Sequence, residues 1–212
     1  MIKTAGRVAW LITPVLVAGI GQVVILKTGL LPGLAVPLDF GLHLRGQPVL
    51  GPRKTWRGVI IMTTLSAMTA RAQAMAARRS PRLRAICPFD YRQVNPWLLG
   101  GTLGLGYCIA ELPNSFVKRR LGIPPTHTSQ RLAWLQYLID QSDSVAGCLT
   151  ALRFFYRPTW TEAGLALASG LALHVAVDQL MHALGVKRRD YKPSQMIPRA
   201  LATAGTGKLS RP

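Results

Sequence analysis

The segment 111–143, ELPNSFVKRRLGIPPTHTSQRLAWLQYLIDQSD, sets Glu111 ahead of the basic run Lys118-Arg119-Arg120 and carries Asp140 and Asp143 within a largely apolar stretch. Burying a carboxylate in such a stretch costs free energy, and in a membrane it persists mainly where it binds a cation or a basic partner. Asp140 and Asp143 are three residues apart, so on a helix they share one face and converge on one ion or one partner. How these acids are read therefore turns on whether the chain crosses a membrane.

Of the 212 residues 49% are hydrophobic, yet 26 basic against 8 acidic residues give a formal net charge of +18. A soluble nucleic-acid binder accounts for the charge but not for long glycine- and alanine-rich apolar runs nearly free of acids. A multi-pass membrane protein accounts for both, because Lys and Arg collect in cytoplasmic loops and face anionic lipid. Anionic lipid is accordingly an expected partner and nucleic acid is not. Cys87, Cys108 and Cys148 have no metal-ligand spacing, and packing is their default use.

Apolar runs at 8–31, 58–77, 97–112, 133–155 and 164–184 predict an all-α, polytopic integral membrane protein with about five transmembrane helices. The first run is too long for the core of a signal peptide and reads as a retained span. Residues 1–192 then form one membrane-embedded catalytic domain with loops at 32–57 and 113–132, and 193–212 form a loose polar tail. The loop 32–57 is punctuated by Pro and Gly too often for a regular element. The connector 78–96, with Arg78, Arg79, Arg82, Arg84 and Arg92, reads as a solvated loop or a short interfacial helix. About five spans put the two ends on opposite sides. About 16 basic residues fall on the segments that include 32–57, 113–132 and the C-terminal tail, against about 10 on the others. That asymmetry predicts a cytoplasmic (inner) membrane protein with an outside N-terminus, a cytoplasmic C-terminus and both loops in the cytoplasm.

Oxygen ligands such as Asp140 and Asp143, joined by Glu111 if the helices are adjacent, suit Mg²⁺, which completes its shell with water and substrate phosphates. The competing use is ion pairing to Lys118, Arg119 or Arg120. Lys54 and Arg57, among glycines that admit a close ligand, and Lys118, Arg119 and Arg120 suit phosphate oxygens. The competing use of the basic residues is topology and anionic-lipid contact. Asp39 is either a further site acid or a turn residue. His174 and His182 read as packing or headgroup hydrogen-bonding residues. No Ser-His-Asp, zinc or dinucleotide pattern has a convincing context.

PLDFG at 37–41, GPRKTWRG at 51–58, AELPNSFVKRRLGI at 110–123 and LIDQSDSVAG at 138–147 together resemble the CDP-archaeol synthase family, which is related to the phosphatidate cytidylyltransferases. The resemblance implies a five-span membrane enzyme that uses CTP and Mg²⁺ to place a cytidylyl group on a phosphorylated lipid, releasing pyrophosphate. It further implies that Asp39, Lys54, Thr55, Arg57, Lys118 and Arg119 bind nucleotide and phosphate, and that Asp140 and Asp143, with Glu111, hold the metal. Lys54, Arg57, Lys118, Asp140 and Asp143 would carry the catalysis. The chain departs from the family pattern at Ala110-Glu111, where Gly-Asp is usual, at Pro124-Pro125 in place of a glycine, and at Ser142 and Ser144. Two other classes compete: a small cation transporter or channel-like subunit, and a noncatalytic membrane scaffold. A homodimer is compatible with the sequence.

Overall fold

The computed structural model describes residues 2–123 and 133–185. Its helices are α1 (Ile2–Thr28), α2 (Trp56–Arg79), the short α3 (Pro81–Ile86), α4 (Pro96–Arg120), α5 (Ala133–Leu152) and α6 (Trp160–Ala183). The shortest of the five long helices has 20 residues, and at about 1.5 Å per residue that already spans the roughly 30 Å of a bilayer's hydrocarbon. Lys3–Thr28 and Trp160–Met181 are long and apolar enough to cross a membrane by composition alone. The other long helices, α2, α4 and α5, carry charged residues such as Arg71, Glu111 and Asp140 within their length.

Local chemistry sets the helix starts. Thr55 caps α2 by accepting from the Gly58 amide at 3.4 Å, and Asn95 caps α4 from Trp97 at 2.9 Å with Pro96 at the first helical position. α6 opens with a reciprocal capping box. Thr159 Oγ1 accepts from the Glu162 amide at 3.2 Å, and Glu162 Oε2 accepts from the Thr159 amide at 3.0 Å. The connector 78–96 contains α3, capped by Ser80.

Two segments differ from the sequence expectation. Residues 113–120, read as part of a loop, are the last turns of α4, which runs through Pro113. A proline removes one backbone donor, a loss that packed membrane helices accommodate. Lys118, Arg119 and Arg120 then fall in the last turn, where positive charge complements the helix dipole. Residues 32–57 are not wholly irregular: Pro32–Leu34 form a 3₁₀ turn, and β1 (His43–Leu44) pairs antiparallel with β2 (Gln47–Pro48). Arg45 and Gly46, both at positive φ (53° and 76°), form the two-residue hairpin turn.

The long helices close a ring in the order α2, α4, α5, α6, α1 and back to α2. Glycine sets the closest approaches. A Cβ at Gly104 of α4 would lie 2.5 Å from the Met62 carbonyl oxygen of α2 and 2.8 Å from the Thr63 Cα, so the two backbones touch. On the other flank of α4, a Cβ at Gly106 would lie 2.9 Å from the Gly147 carbonyl oxygen of α5. α4 is thereby held rigidly between the two elements that share the site with it.

Gly104→Val should force α2 and α4 apart and cost about 1–3 kcal/mol or more of stability, read as a lower unfolding temperature in detergent. Gly164→Ala, where a Cβ would meet nothing within 4 Å, should be near neutral.

Candidate active site

The loop before α2 is folded around Asp39, which is buried. Its Oδ2 accepts from the amides of Leu50 (2.7 Å) and Gly51 (3.2 Å), and its Oδ1 from Gly41 (3.1 Å). Burial pushes the carboxyl pKa up, but the backbone donors outweigh it and hold the group below the usual carboxylate range. The Leu38 amide donates to the Lys54 carbonyl at 2.7 Å and the Trp56 amide to the Val36 carbonyl at 2.9 Å. Both ends of the loop are thus sewn together, and Lys54 and Thr55 are presented at the start of α2.

The three basic residues ending α4 do three different things. Lys118 turns into the helix ring. Arg119 bonds the Ile123 carbonyl and lies beside Gly51, where a Cβ would come within 3.4 Å of its Nε. Arg120 donates to the carbonyls of Leu44 (2.5 Å), Gln47 (3.1 Å) and Pro48 (2.6 Å) and stacks over the Phe116 ring at 5.2 Å. The two arginines fasten the hairpin and the loop to α4.

Inside the ring, at the end where this loop sits, is a cavity of about 370 Å³ walled by all five long helices and the loop. Lys54, Thr55, Glu111, Lys118, Asp140 and Asp143 line it. Lys54 pairs with Glu111, and Lys118 with Asp140. Burial lowers the Lys54 pKa, but the Glu111 carboxylate outweighs it and holds the ammonium above its ordinary value. Asn114 Nδ2 donates to Asp140 Oδ1 at 2.7 Å and to Asp143 Oδ2 at 2.9 Å. Fully buried Ser144 donates to Glu111 Oε1 at 2.8 Å, and its amide donates to Asp143 Oδ1 at 2.6 Å.

Of the site residues expected from sequence, Lys54, Thr55, Glu111, Lys118, Asp140 and Asp143 meet in this cavity. Asp39 and Arg119 do not line it; each is engaged with loop backbone. Nor does Arg57, whose Nη1 donates to the Leu30 carbonyl at 3.3 Å. The sequence reading missed Asn114, Ser144, Tyr107 and Asp178, all on or beside the cavity wall. Glu111, Asn114 and Lys118 recur at helical spacing, but that signal is legible only if the helix continues through Pro113. His174 lines the cavity; the side chain of His182 lies outside the described residues.

The donor set fits Mg²⁺ in part. An oxygen of Asp140 and one of Asp143 both lie within 2.9 Å of a single Asn114 nitrogen, so the two carboxylates converge on one point, and hard oxygen donors of this kind suit the ion. Glu111 is tied to Lys54 and shares the Ser144 hydroxyl with Asp143. Among the described residues no three His, Cys, Asp or Glu side chains group closely enough to share a metal. The fit therefore extends to the aspartate pair and not to a triad.

The family described as CarS-like, CDP-archaeol synthase, matches residues 1–191. The chain belongs to the CDP-archaeol synthase family. It is similar to the CDP-archaeol synthase of Halobacterium salinarum, at 31% identity over 169 residues, which is 76% of this chain and 86% of that protein. It is also similar to the CDP-archaeol synthase of Methanopyrus kandleri, at 27% over 188 residues, 86% of this chain and 91% of the other. A solved intramembrane enzyme for archaeal membrane lipid biosynthesis superposes with a TM-score of 0.53 at 26% identity, covering 81% of this chain and 92% of that one. Membership makes the chain a membrane-embedded cytidylyltransferase with an all-α polytopic fold, and disfavours the transporter and scaffold readings.

Asp39→Ala should leave three loop amides without their acceptor. Hydrogen bonds to a charged group contribute about 1.5–3 kcal/mol each, so the variant should unfold at lower temperature and expose Arg45 to trypsin. Because the folded pKa of Asp39 lies below its unfolded value near ~3.9, its contribution is fully present above that value and is lost as pH falls through the folded one. Limited proteolysis across an acid titration should show wild type approaching the variant only at the acid end.

Proposed function

We propose that the chain transfers the cytidylyl group of CTP to the phosphate of a membrane lipid of the isoprenoid ether class, forming a CDP-activated lipid and releasing pyrophosphate. One observation carries the reading: two ammonium groups and a converging aspartate pair line a single cavity at one end of a membrane helix bundle. An oxygen of the lipid phosphate attacks the α-phosphorus, the bond to the bridging oxygen breaks, and pyrophosphate leaves with its electron pair. A phosphomonoester is already mostly ionised near neutral pH, its second pKa being about 6, so the chain supplies no general base.

What the chain supplies is charge and position. Lys54 and the capped N-terminus of α2, bearing Thr55 and Gly58, form one anion-binding corner of the cavity. Lys118 forms another, and between them the two ammonium groups offset repulsion between the nucleotide and the lipid phosphate. Their partners here, Glu111 and Asp140, keep both cations in place before phosphate arrives. Asp140 and Asp143 are the residues that would hold Mg²⁺, which when bound spreads the negative charge of the triphosphate and of departing pyrophosphate. Asn114 and Ser144 fix the carboxylates. Asp39 and Arg119 serve the site by shaping the loop that carries Lys54, and Arg57 by anchoring that loop's far end to Leu30.

The basic asymmetry of about 16 against about 10 residues supports a bundle whose cavity end faces the cytoplasm, where CTP is, with the N-terminus outside.

Purified protein given α-labelled CTP, Mg²⁺ and a panel of lipid phosphates should move label into an extractable lipid. Asp140→Asn and Lys118→Met should each lower kcat/KM by about 10²–10³-fold, as loss of one preorganised charge contact does, and chelation of Mg²⁺ should abolish transfer. A folded wild type that neither transfers label to any acceptor nor binds CTP would overturn the proposal.

A further inference from the structure

At its inner end the polar cavity adjoins a second, apolar one. An apolar pocket of about 110 Å³ continues from it between α1, α4, α5 and α6, and the two share Gly19, Tyr107, His174 and Val177. Beyond it a third hollow, of about 310 Å³, lies between α1 and α6 and shares Ile12, Leu16 and Leu173 with the second. Along α1 the lining passes from Gly19 at the neck to Ala5 at the far end, about 21 Å at 1.5 Å per residue. The sequence of environments is therefore polar chamber, narrow neck, long apolar trench.

Two of the four neck residues are polar, and they bond each other. Tyr107 Oη lies 3.3 Å from His174 Nε2, and His174 Nδ1 lies 3.2 Å from the Gln141 carbonyl oxygen. A carbonyl only accepts, so Nδ1 carries a hydrogen, and in the neutral ring Nε2 accepts from the Tyr107 hydroxyl. Gln141 follows Asp140 directly, so the pair is tied to the stretch of α5 that bears both aspartates. The third neck residue, Gly19, has no packing reason to be glycine, since a Cβ there would meet nothing within 4 Å. Glycine within a helix costs about 1 kcal/mol relative to alanine. Its visible effect is an open neck.

An acceptor lipid has the same order of parts as this passage: a phosphate, a short polar linkage region, then hydrocarbon. We propose that Tyr107 and His174, at the neck kept open by Gly19, hold the acceptor lipid at the junction of its headgroup and chains, and so set how far its phosphate reaches toward CTP. The inference rests on the cytidylyltransferase reading above and makes these three residues positioning and specificity determinants for the lipid, not for the nucleotide.

The test separates the two substrates. KM and kcat are measured for CTP and for a long-chain lipid phosphate in wild type, Gly19→Phe, Tyr107→Phe and His174→Phe, with CTP affinity and unfolding temperature measured beside them. Gly19→Phe should keep fold and CTP affinity while lowering kcat/KM for the long-chain acceptor by tenfold or more, roughly the scale of a lost positioning contact, and should leave a short-chain, water-soluble acceptor little affected. Tyr107→Phe should raise the lipid KM by about three- to tenfold, as loss of one neutral hydrogen bond does, with the CTP KM unchanged. Gly19→Ala and Gly19→Leu give graded versions should the Phe variant not fold. Lipid kinetics unchanged across the Gly19 series, or CTP and lipid parameters changed equally, would overturn the inference. Binding of the long-chain lipid phosphate, followed by native mass spectrometry, reads the neck without turnover. Wild type that binds this lipid but transfers nothing defeats the cytidylyltransferase reading alone, whereas binding indifferent to Gly19→Phe defeats the neck.

Discussion

Glu111, Asp140 and Asp143, three of the four carboxylates that line the cavity inside the helix ring, must be compensated, and the rest of the architecture follows from how that is done. A buried carboxylate without a partner costs several kcal/mol. Here Glu111 is met by Lys54 and Ser144, Asp140 by Lys118 and Asn114, and Asp143 by Asn114 and the Ser144 amide. The partners arrive from three directions: α4, α5 and the loop before α2. None of these can move far without leaving a charge unpaired. The glycine contacts of α4 with α2 and α5 serve the same end, because only backbone-close helices bring such short side chains as Asn114 and Ser144 into range.

Lys54 is the one compensating charge that comes from outside a helix, which explains the effort invested in its loop. Asp39 gathers three amides, Arg120 gathers three carbonyls across the hairpin, and Arg119 lies against Gly51. The division of labour in Lys118-Arg119-Arg120 reflects side-chain chemistry. A guanidinium presents several donors in a rigid plane and suits the binding of several carbonyls at once, whereas an ammonium is a compact point charge that can pivot between carboxylate and phosphate.

The helical membrane character and the order of the motifs were legible in the sequence, and six of the nine expected site residues line one cavity, because apolar run length and the pairing of acids with bases are local properties. The placement of Asp39, Arg57 and Arg119 outside the cavity lining was not legible. A sequence motif does not distinguish a residue that lines a cavity from one that holds the residue that does, and that distinction lies in contacts such as Asp39 with Leu50, eleven positions along the chain. Asn114 was hidden for a different reason. Pro113 reads as the end of a helix, and ending the helix there breaks the spacing that puts Glu111, Asn114 and Lys118 on one face. The neck was invisible because Gly19, Tyr107 and His174 belong to separate helices with no motif of their own.

The same compensation explains why the site can be both stable when empty of substrate and receptive to it. A cavity lined only by cations would repel itself and draw in any anionic headgroup, while one lined only by acids would repel CTP. Pairing each ammonium with a carboxylate keeps neither cation standing alone in the empty site. The triphosphate and the lipid phosphate bring their own negative charge, and each lysine can turn to a phosphate only if its carboxylate acquires another partner. Asn114 already bonds Asp140 and Asp143 together, so Asp140 does not depend on Lys118 alone. Lys118 and Asp140 are coupled in this way: a phosphate that draws the ammonium away leaves Asp140 with Asn114 as its remaining named partner, so the pair resists any anion that does not also relieve the carboxylate.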